Sequence, residues 1–392
     1  AGTETSVVQS NPAINVTVVD GGGEHRAVYG ANQSASTMLR GFTIRNGYAG
    51  YDEDVPGGGG MLLSDSSALI VQCIFENNTA YIMGGAVMVG ELYSGQLGSP
   101  QFINCIFRNN GSTSPDDPPY DGGAVFLTTV APVSFTNCLF HGNKAGGGGV
   151  IAKGPGSYAI FTNCTMTNNQ ATMVRGGAIR DDTGSVSLRN CILWGNTRLE
   201  RLNGELVTPI HEISDQIYGP GYDAPVTYGD VEGGWPGTGN IDADPLFQDV
   251  AGGKFNLQFG SPCKDTGSNA YLPADVADLD WDGDTLETVP MDLGLLPRIL
   301  GTGVDIGAYE IPFCRDGYCE ADESSCNCLQ DCGPAPMNEE PALSCNDGTD
   351  NDCDVLVDLR MEKKILRFKR PTTFSPRLQR FFQYFRRYLL VL

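Results

Sequence analysis

The fold is decided by residues 71–78, VQCIFENN, because the chain repeats this stretch four more times. The copies read INCIFRNN (103–110), TNCLFHGN (136–143), TNCTMTNN (162–169) and RNCILWGN (189–196). A sixth member, GFTIRNG (41–47), carries Phe42 at the cysteine position. Successive cysteines lie 32, 33, 26 and 27 residues apart. A period of this length is typical of repeat proteins in which each unit buries its core only against its neighbours.

Within one copy the side chains alternate as in a β-strand. Cys73 and Phe75 lie two residues apart and share one face, while Gln72 and Ile74 point to the other. Asn or Gly follows each strand and can adopt the left-handed backbone conformation, so the chain turns there. Each copy therefore predicts a short strand with an apolar inner face.

A glycine pair stands before each copy, as in GGAV (84–87), GGAV (122–125) and GGAI (176–179). Coils of about 26 residues, stacked in parallel with right-handed crossovers, accommodate three short strands per turn. A leucine-rich repeat would need a leucine framework, and a propeller blade needs about 40 residues. We therefore expect an all-β chain that forms a right-handed parallel β-helix.

Five cysteines occupy the repeated position, and we call them the cysteine ladder: Cys73, Cys105, Cys138, Cys164 and Cys191. Free cysteine behaves as a small buried hydrophobe, so stacking predicts these thiols inside the solenoid and unpaired. A metal or redox role is the less favoured alternative. The Asn pairs are interpreted as turn and ladder residues before any role as ligands.

The composition narrows the function. The net charge is −22. Residues 360–392 hold ten of the 25 basic residues and only one of the 47 acidic residues, so the surface of the rest of the chain is still more acidic. Such a surface repels nucleic acid and attracts divalent cations. No run of 18 apolar residues is present, so we expect no transmembrane helix. No signal peptide is visible, and we expect an extracellular or cell-surface monomer from the cysteine usage and the resemblance described next.

Residues 15–47 resemble the opening coils of bacterial secreted β-helix proteins of the pectate-lyase-like superfamily. DPLF (244–247), GSPCKDTG (260–267) and DIGAYE (305–310) resemble the ending that these proteins share, with Arg298 at the place of its arginine. The resemblance implies a right-handed parallel β-helix over about residues 10–310. It leaves the activity open, because members include lyases, hydrolases and adhesins.

The organisation that we expect has four parts. Residues 1–200 are predicted to form β-helix coils, and residues 201–312 the last coils and the cap. Residues 313–358 hold seven cysteines and are similar to small disulfide modules of bacterial surface proteins. Residues 359–392 are strongly basic and lack Gly and Cys. This tail is interpreted either as a membrane- or polyanion-binding segment or, as we favour, as an accidental sequence from a shifted reading frame.

A calcium site is predicted in the cysteine-rich module. SCNDGTDNDCDVLVD (344–358) resembles a metal-binding motif in which Asp350, Asp352 and Asp354 alternate, with Asp358 further on. Val355 stands where glycine normally permits a sharp turn, so we expect weak binding.

Arg180, Asp181 and Asp182 are the sharpest catalytic candidates, because acidic pairs with a nearby base on one strand face are the usual arrangement in β-helix enzymes. A polar turn is the alternative interpretation, since the same place holds SDSS and KGPG in other copies. If the chain is an enzyme, the resemblance implies a polysaccharide lyase or a glycoside hydrolase.

Two long loops leave the predicted solenoid at the same corner, at residues 47–57 and 111–122. Insertions on one face of a repeat array often form its binding surface. Tyrosines can stack on sugar rings and carboxylates can accept sugar hydroxyls or bind calcium. The candidate ligand-binding residues are Tyr48, Tyr51, Asp52, Asp54, Asp117 and Tyr120. We expect a binding or adhesion protein for polysaccharide or another surface ligand, with solvated loops as the alternative.

Overall fold

The computed structural model describes residues 16–50, 55–91, 97–112, 122–173, 176–181, 183, 185–199, 201–202, 205–206, 212–219 and 224–311. The chain divides into two units, Ala1–Gly317 and Tyr318–Leu392, and the second lies wholly outside the described residues. The predicted cysteine-rich module and basic tail are therefore outside the described part of the chain. Within that part no helix is long and apolar enough to cross a membrane.

Four parallel sheets run along the first unit, and consecutive strands of each sheet come from consecutive coils. Sheet A contains β1 (Thr17–Asp20), β4 (Phe42–Arg45), β8 (Ile74–Glu76), β12 (Ile106–Arg108), β16 (Leu139–His141), β20 (Thr165–Thr167), β24 (Ile192–Trp194) and β31 (Asp230–Val231). Sheet B contains β2 (Val28–Ala31), β6 (Met61–Ser64), β10 (Val87–Val89), β14 (Val125–Leu127), β18 (Ile151–Lys153), β22 (Ile179–Arg180) and β29 (Ile217–Tyr218).

The other two sheets complete each coil. Sheet C contains β3 (Met38–Arg40), β7 (Leu69–Val71), β11 (Gln101–Ile103), β15 (Pro132–Thr136), β19 (Tyr158–Thr162), β23 (Val186–Arg189) and β30 (Val226–Thr227). Sheet D contains β5 (Tyr48–Ala49), β9 (Thr79–Ala80), β13 (Gly111–Ser112), β17 (Lys144–Ala145), β21 (Gln170–Ala171), β25 (Thr197–Leu199) and an antiparallel edge strand, β28 (Glu212–Ser214). The expectation of three strands per coil is wrong, because the short strands of sheet D add a fourth.

In the described ranges, two antiparallel hairpins lie outside these sheets. The first pairs β26 (Arg201–Leu202) with β27 (Glu205–Leu206), and the second pairs β32 (Phe247–Asp249) with β33 (Lys254–Leu257). A 3₁₀ turn follows at Asn269–Tyr271. The all-β parallel solenoid predicted from the repeat is confirmed.

The core consists of residues stacked at equivalent positions of successive coils. All members of the cysteine ladder are fully buried and unpaired, as predicted. Phe75 stacks on Phe107 at a ring-centroid distance of 4.8 Å, and Phe107 stacks on Phe140 at 4.6 Å. These distances equal the spacing of neighbouring strands, so each ring rests on the one below it.

A second ladder is built from asparagines at the corner between sheets A and D. The asparagine ladder comprises Asn78, Asn110, Asn143, Asn169 and Asn196, all of which are buried. Each of the first four donates its side-chain NH₂ to the side-chain oxygen of the next, at 2.8–3.0 Å. The residue before each ladder asparagine turns the chain with a positive φ, as at Asn109 (55°) and Asn168 (54°). The predicted turn and ladder roles of the Asn pairs are both confirmed.

The glycine pairs allow the coils to approach closely. Gly122 has a φ of 96°, a conformation that side chains disfavour. A Cβ atom on Gly123 would lie 2.3 Å from the carbonyl oxygen of Gly149 in the next coil. Only glycine fits at this contact.

The segment after the coils returns along their outside, and we call residues 268–308 the C-terminal strap. Asn190 donates to the carbonyl of Ser268 at 3.0 Å, and Arg40 donates to the carbonyl of Leu279 at 3.1 Å. The strap then turns back, and Gly307 donates its N–H to the carbonyl of Asn190 at 2.9 Å. It therefore extends from a late coil to the first coils and returns.

Apolar contacts hold the strap on the outer face of sheet C. Leu69, Val71 and Ile103 of that face form a buried cluster with strap residues. The strap contributes Ala277, Leu279 and Val289 to this cluster. The apolar side chains on the outer face of sheet C are therefore covered by the strap and do not face solvent.

Candidate functional site

A pocket of about 370 Å³ lies at the corner between sheets A and D in the first coils. It is lined by Gly22, Gly23, Asn46, Gly47, Tyr48, Asn77 and Thr79. Tyr48 is one of the predicted ligand-binding residues, and it begins the first strand of sheet D. Residues 51–54 of the loop that follows lie outside the described residues.

Backbone turns shape the floor of this corner pocket. Gly22 and Gly23 both have positive φ, and a Cβ atom added to either would meet nothing within 4 Å. Gly23 donates its N–H to the carbonyl of Asn46 at 2.7 Å, and Thr79 donates its N–H to the carbonyl of Gly47 at 2.8 Å. The two glycines therefore leave open space beside a rigid, hydrogen-bonded coil edge.

A carboxylate fixes the first turn of the pocket. Asp20 accepts hydrogen bonds from the Gly22 N–H at 3.0 Å, the Arg45 guanidinium at 2.8 Å and the Asn46 amide at 3.1 Å. The Gly22 backbone bond and then the side-chain bonds hold the pKa of Asp20 below its usual value. Asp20 is consequently ionised at neutral pH. Its carboxylate oxygens already accept hydrogen bonds from within the turn, so its role is to hold the turn in place.

Charges of alternating sign continue along the same edge of sheet A. Arg45 pairs in register with Glu76, Glu76 accepts from Arg108 at 2.9 Å, and Arg108 pairs in register with His141. His141 packs on Phe255 with a centroid distance of 4.8 Å. Burial, together with the Arg108 charge, lowers the pKa of His141 to about 4, so the imidazole is neutral at pH 7.

The pocket suits recognition of a polar ligand rather than bond cleavage. Amides, a hydroxyl and a phenol line it, and each of these groups can both donate and accept hydrogen bonds. Among the described residues, none that lines the pocket is a carboxylate, a histidine or a lysine. Tyr51, Asp52, Asp54, Asp117 and Tyr120, the other predicted ligand-binding residues, lie outside the described residues.

The catalytic candidate Asp181 lies in the interior. Its carboxylate pairs with the Lys153 ammonium at 2.8 Å, and both side chains are fully buried. The same carboxylate accepts from the Val186 N–H at 2.8 Å and the Thr183 N–H at 3.2 Å. These bonds close the turn between sheets B and C, which is a structural task. Arg180 ends β22 as a partly exposed residue, and Asp182 lies outside the described residues.

A buried charged cluster lies in the DIGAYE segment. Arg298 pairs with Glu310 at 3.1 Å, and Asp305 accepts from the backbone of Asp265 and Ile311 at 2.7 Å each. Asp292 accepts from the Glu310 N–H at 2.8 Å. These bonds join the strap to Asp265 on one side and to Glu310 and Ile311 on the other, which gives the DIGAYE motif a structural role.

This cluster holds three carboxyl groups around one guanidinium. Burial raises the pKa of Asp292 and of Asp305 to about 6, and that of Glu310 to about 8, against the attraction of Arg298. One cation cannot neutralise three buried carboxylates, so the group as a whole keeps a proton near neutral pH.

The sequence reasoning missed a group of acids at the tip of the strap. One carboxylate oxygen from each of Asp275, Asp280 and Glu287 lies within 4.8 Å of the others, and the same holds for Asp278, Asp280 and Asp282. We call residues 275–287 the acidic loop. Its signal was the D-x-D-x-D-G spacing of residues 278–283, which matches the start of a calcium loop. The predicted metal ligands Asp350, Asp352, Asp354 and Asp358 lie outside the described residues.

Comparison with known proteins agrees with the fold. A family model described as "Right handed beta helix region" matches residues 13–154, which include the corner pocket. The match covers about a third of the chain, and the described coils have the same right-handed parallel β-helix architecture. No curated protein and no solved structure matches it. The β-helix match identifies an architecture, and an architecture of this kind supports many activities.

Proposed function

We propose that this β-helix protein is a secreted or cell-surface binding protein that recognises polysaccharide at its corner pocket. The observation that carries the proposal is the pocket itself, in which Tyr48 stands beside amide and hydroxyl groups on a rigid coil edge. A tyrosine ring offers its face to a sugar, while Asn46 and Asn77 can hydrogen-bond the hydroxyl groups. The proposed partner is therefore a carbohydrate of the extracellular surroundings, bound by a monomer.

Charge supports the choice of ligand class. The net charge of −22 disfavours nucleic acid and other strongly anionic partners. Neutral glycans carry no such penalty. Calcium is proposed as an accompanying ion, because the same charge attracts divalent cations.

Binding is favoured over catalysis because the sharpest catalytic candidate is already engaged. Asp181 is fully buried against Lys153, which leaves its carboxylate no access to a substrate in this arrangement. The described residues that line the corner pocket include no carboxylate or histidine that could form an acid–base pair. A polysaccharide lyase or glycoside hydrolase requires such a pair or a metal-bound equivalent.

A glycan-binding screen of the full chain against neutral and acidic polysaccharides tests the proposal. We expect a retained glycan whose affinity falls about tenfold in Tyr48→Ala, since an aromatic contact contributes roughly 1.5 kcal/mol. Tyr158→Ala is the matched control, because Tyr158 is a 49% exposed tyrosine on sheet C, away from the pocket. Equal affinity in the two variants would remove the pocket from the proposal.

The same incubations distinguish binding from turnover. Chromatography and reducing-end assays of the glycan after incubation should show an unchanged polymer. Release of unsaturated or reducing ends by the parent protein, abolished in Asp182→Ala, would replace the binding proposal by the lyase or hydrolase alternative.

A further inference from the structure

The acidic loop resembles a calcium-binding loop in its sequence and in the backbone conformation of its glycine. Its sequence from Asp278 to Gly283, DLDWDG, places carboxylates at alternate positions and a glycine sixth, and Gly283 adopts a φ of 88°. Calcium loops use the same arrangement, in which the first, third and fifth residues supply oxygens and the glycine makes the sharp turn. Glu287 stands at the tenth position, whereas the EF-hand glutamate stands at the twelfth.

The carboxylates converge, although they repel one another. Asp280 belongs to both groups of three whose oxygens lie within 4.8 Å, so the two groups form one cluster of Asp275, Asp278, Asp280, Asp282 and Glu287. Among the described residues, no arginine or lysine forms an ion pair with any of them. Arg40 is bound to backbone carbonyls of the loop, so these carboxylates have no ion-pair partner in the described part of the chain.

Asp275 supplies an independent observation. Its side chain is fully buried, and although Oδ2 accepts the Leu279 N–H at 2.6 Å, Oδ1 has no hydrogen-bond partner. Glu287 has an unpartnered buried oxygen too, Oε1. Buried polar atoms without partners are rare in folded proteins, and a bound ion is one of the standard explanations. The ordinary turn bonds of the loop account for oxygens of Asp278 and Asp282 but leave these two atoms unexplained.

The donor set selects the ion. The cluster offers only carboxylate oxygens, whereas zinc sites are built mainly from cysteine and histidine. Magnesium requires near-ideal octahedral geometry and retains several waters, while calcium accepts six to eight oxygens in a flexible arrangement. A loop of five carboxylates with a glycine turn meets the calcium requirement.

We propose that the acidic loop binds one calcium ion, and that this ion fixes the tip of the C-terminal strap on the first coils. The loop is already attached there by named contacts. Arg40 donates to the carbonyls of Asp278 at 3.2 Å and Leu279 at 3.1 Å, and its guanidinium lies 4.8 Å from the centre of the Trp281 ring. Removing the mutual repulsion of the acids stabilises the loop conformation that makes these contacts.

Trp281 provides a local reporter, because it lies between two of the proposed ligands and is 39% exposed. Terbium occupies calcium sites and luminesces when a nearby tryptophan is excited. We expect terbium emission from the full chain, displaced by added Ca²⁺, and a large loss of emission in Trp281→Phe. Trp194 and Trp235 remain in that variant as internal controls.

Two substitutions locate the ion. Asp280→Asn changes the residue shared by both groups and should weaken Ca²⁺ binding about tenfold or more in calorimetric titration. Asp352→Asn tests the separate motif of residues 344–358 and should leave terbium emission unchanged. Far-UV circular dichroism verifies folding, and Asp282→Asn, which alters an exposed ligand, replaces Asp280→Asn if the latter does not fold.

The outcomes are distinguishable. Hydrogen exchange of residues 277–289 should become faster when EDTA removes Ca²⁺ from the parent chain and should not respond in Asp280→Asn. Binding that persists in Asp280→Asn and Asp282→Asn but disappears in Asp352→Asn would overturn the proposal, as would exchange that ignores Ca²⁺. Neither result depends on whether the corner pocket binds a glycan.

Discussion

The asparagine ladder permits a quantitative test of what holds the coils together. Substitution of Asn143 by alanine removes four hydrogen bonds at once. Its side-chain oxygen accepts from both the backbone and the side chain of Asn110 at 3.0 Å, and its NH₂ donates to Phe107 and Asn169 at 2.9 Å. All of these groups lie in the buried corner between sheets A and D.

The cost can be estimated from the groups that lose a partner. The backbone N–H of Asn110 becomes a buried donor with no acceptor, which costs about 1–3 kcal/mol, and each of the other three bonds contributes about 0.5–1.5 kcal/mol. Alanine keeps the backbone bond from Asn143 to the Asn169 oxygen at 3.0 Å. We therefore expect Asn143→Ala to lower the free energy of unfolding by about 3–7 kcal/mol.

Urea unfolding followed by circular dichroism measures this difference. Asn168→Gly is the matched control, because Asn168 is exposed and glycine occupies the same position at Gly142 and Gly195. Its cost should stay below about 1 kcal/mol. If Asn143→Ala costs no more than the control, the ladder does not stabilise the coils and the assignment of its role is wrong.

Three further predictions follow from buried groups. The cysteine ladder should resist thiol reagents in native protein and react in guanidinium. All five thiols are buried, and burial raises the pKa of Cys73, Cys138 and Cys191. Mass spectrometry that finds these positions labelled without denaturant would contradict the expectation. Lys153→Met should cost about 3–5 kcal/mol in urea unfolding, because Asp181 is left as an uncompensated buried charge, and a cost similar to that of surface variants would argue against the pair. Burial raises the folded-state pKa of Glu310 to about 8 from 4.5, so its contribution to stability is complete below pH 4.5 and is lost as the pH rises to about 8. The thermal midpoint should therefore fall over this range and fall less steeply in Glu310→Gln, whereas parallel profiles would show that another group titrates.

Much of the fold could be predicted because each coil carries the same local sequence pattern. The alternation of Cys73 and Phe75, and the turn asparagines after them, specify a strand and its end locally. The fourth strand of each coil could not be predicted in this way. Thr79–Ala80 is only two residues long, which is too short for an alternating pattern, and its pairing exists only because neighbouring coils stack.

The outer surfaces of the sheets escaped prediction for a different reason. Leu69 and Ile103 look like inward-facing residues of any strand, yet they contact Ala277 and Leu279, which lie more than 170 residues further along the chain. No local pattern encodes which distant segment will cover an apolar face. The position of the strap on sheet C therefore could not be predicted from the sequence and is given by the three-dimensional structure.

The two candidate sites differ in how far the sequence leads to them. Tyr48 could be identified from an insertion at a repeated corner, because solenoid geometry fixes where such a loop emerges. The alternating aspartates of DLDWDG were equally visible, but three acids in a turn are common without an ion. What distinguishes this loop is Asp275, which an antiparallel bridge between Ala274 and Thr288 places beside Glu287. That pairing buries a carboxylate oxygen with no donor, and only the folded strap brings it to the motif.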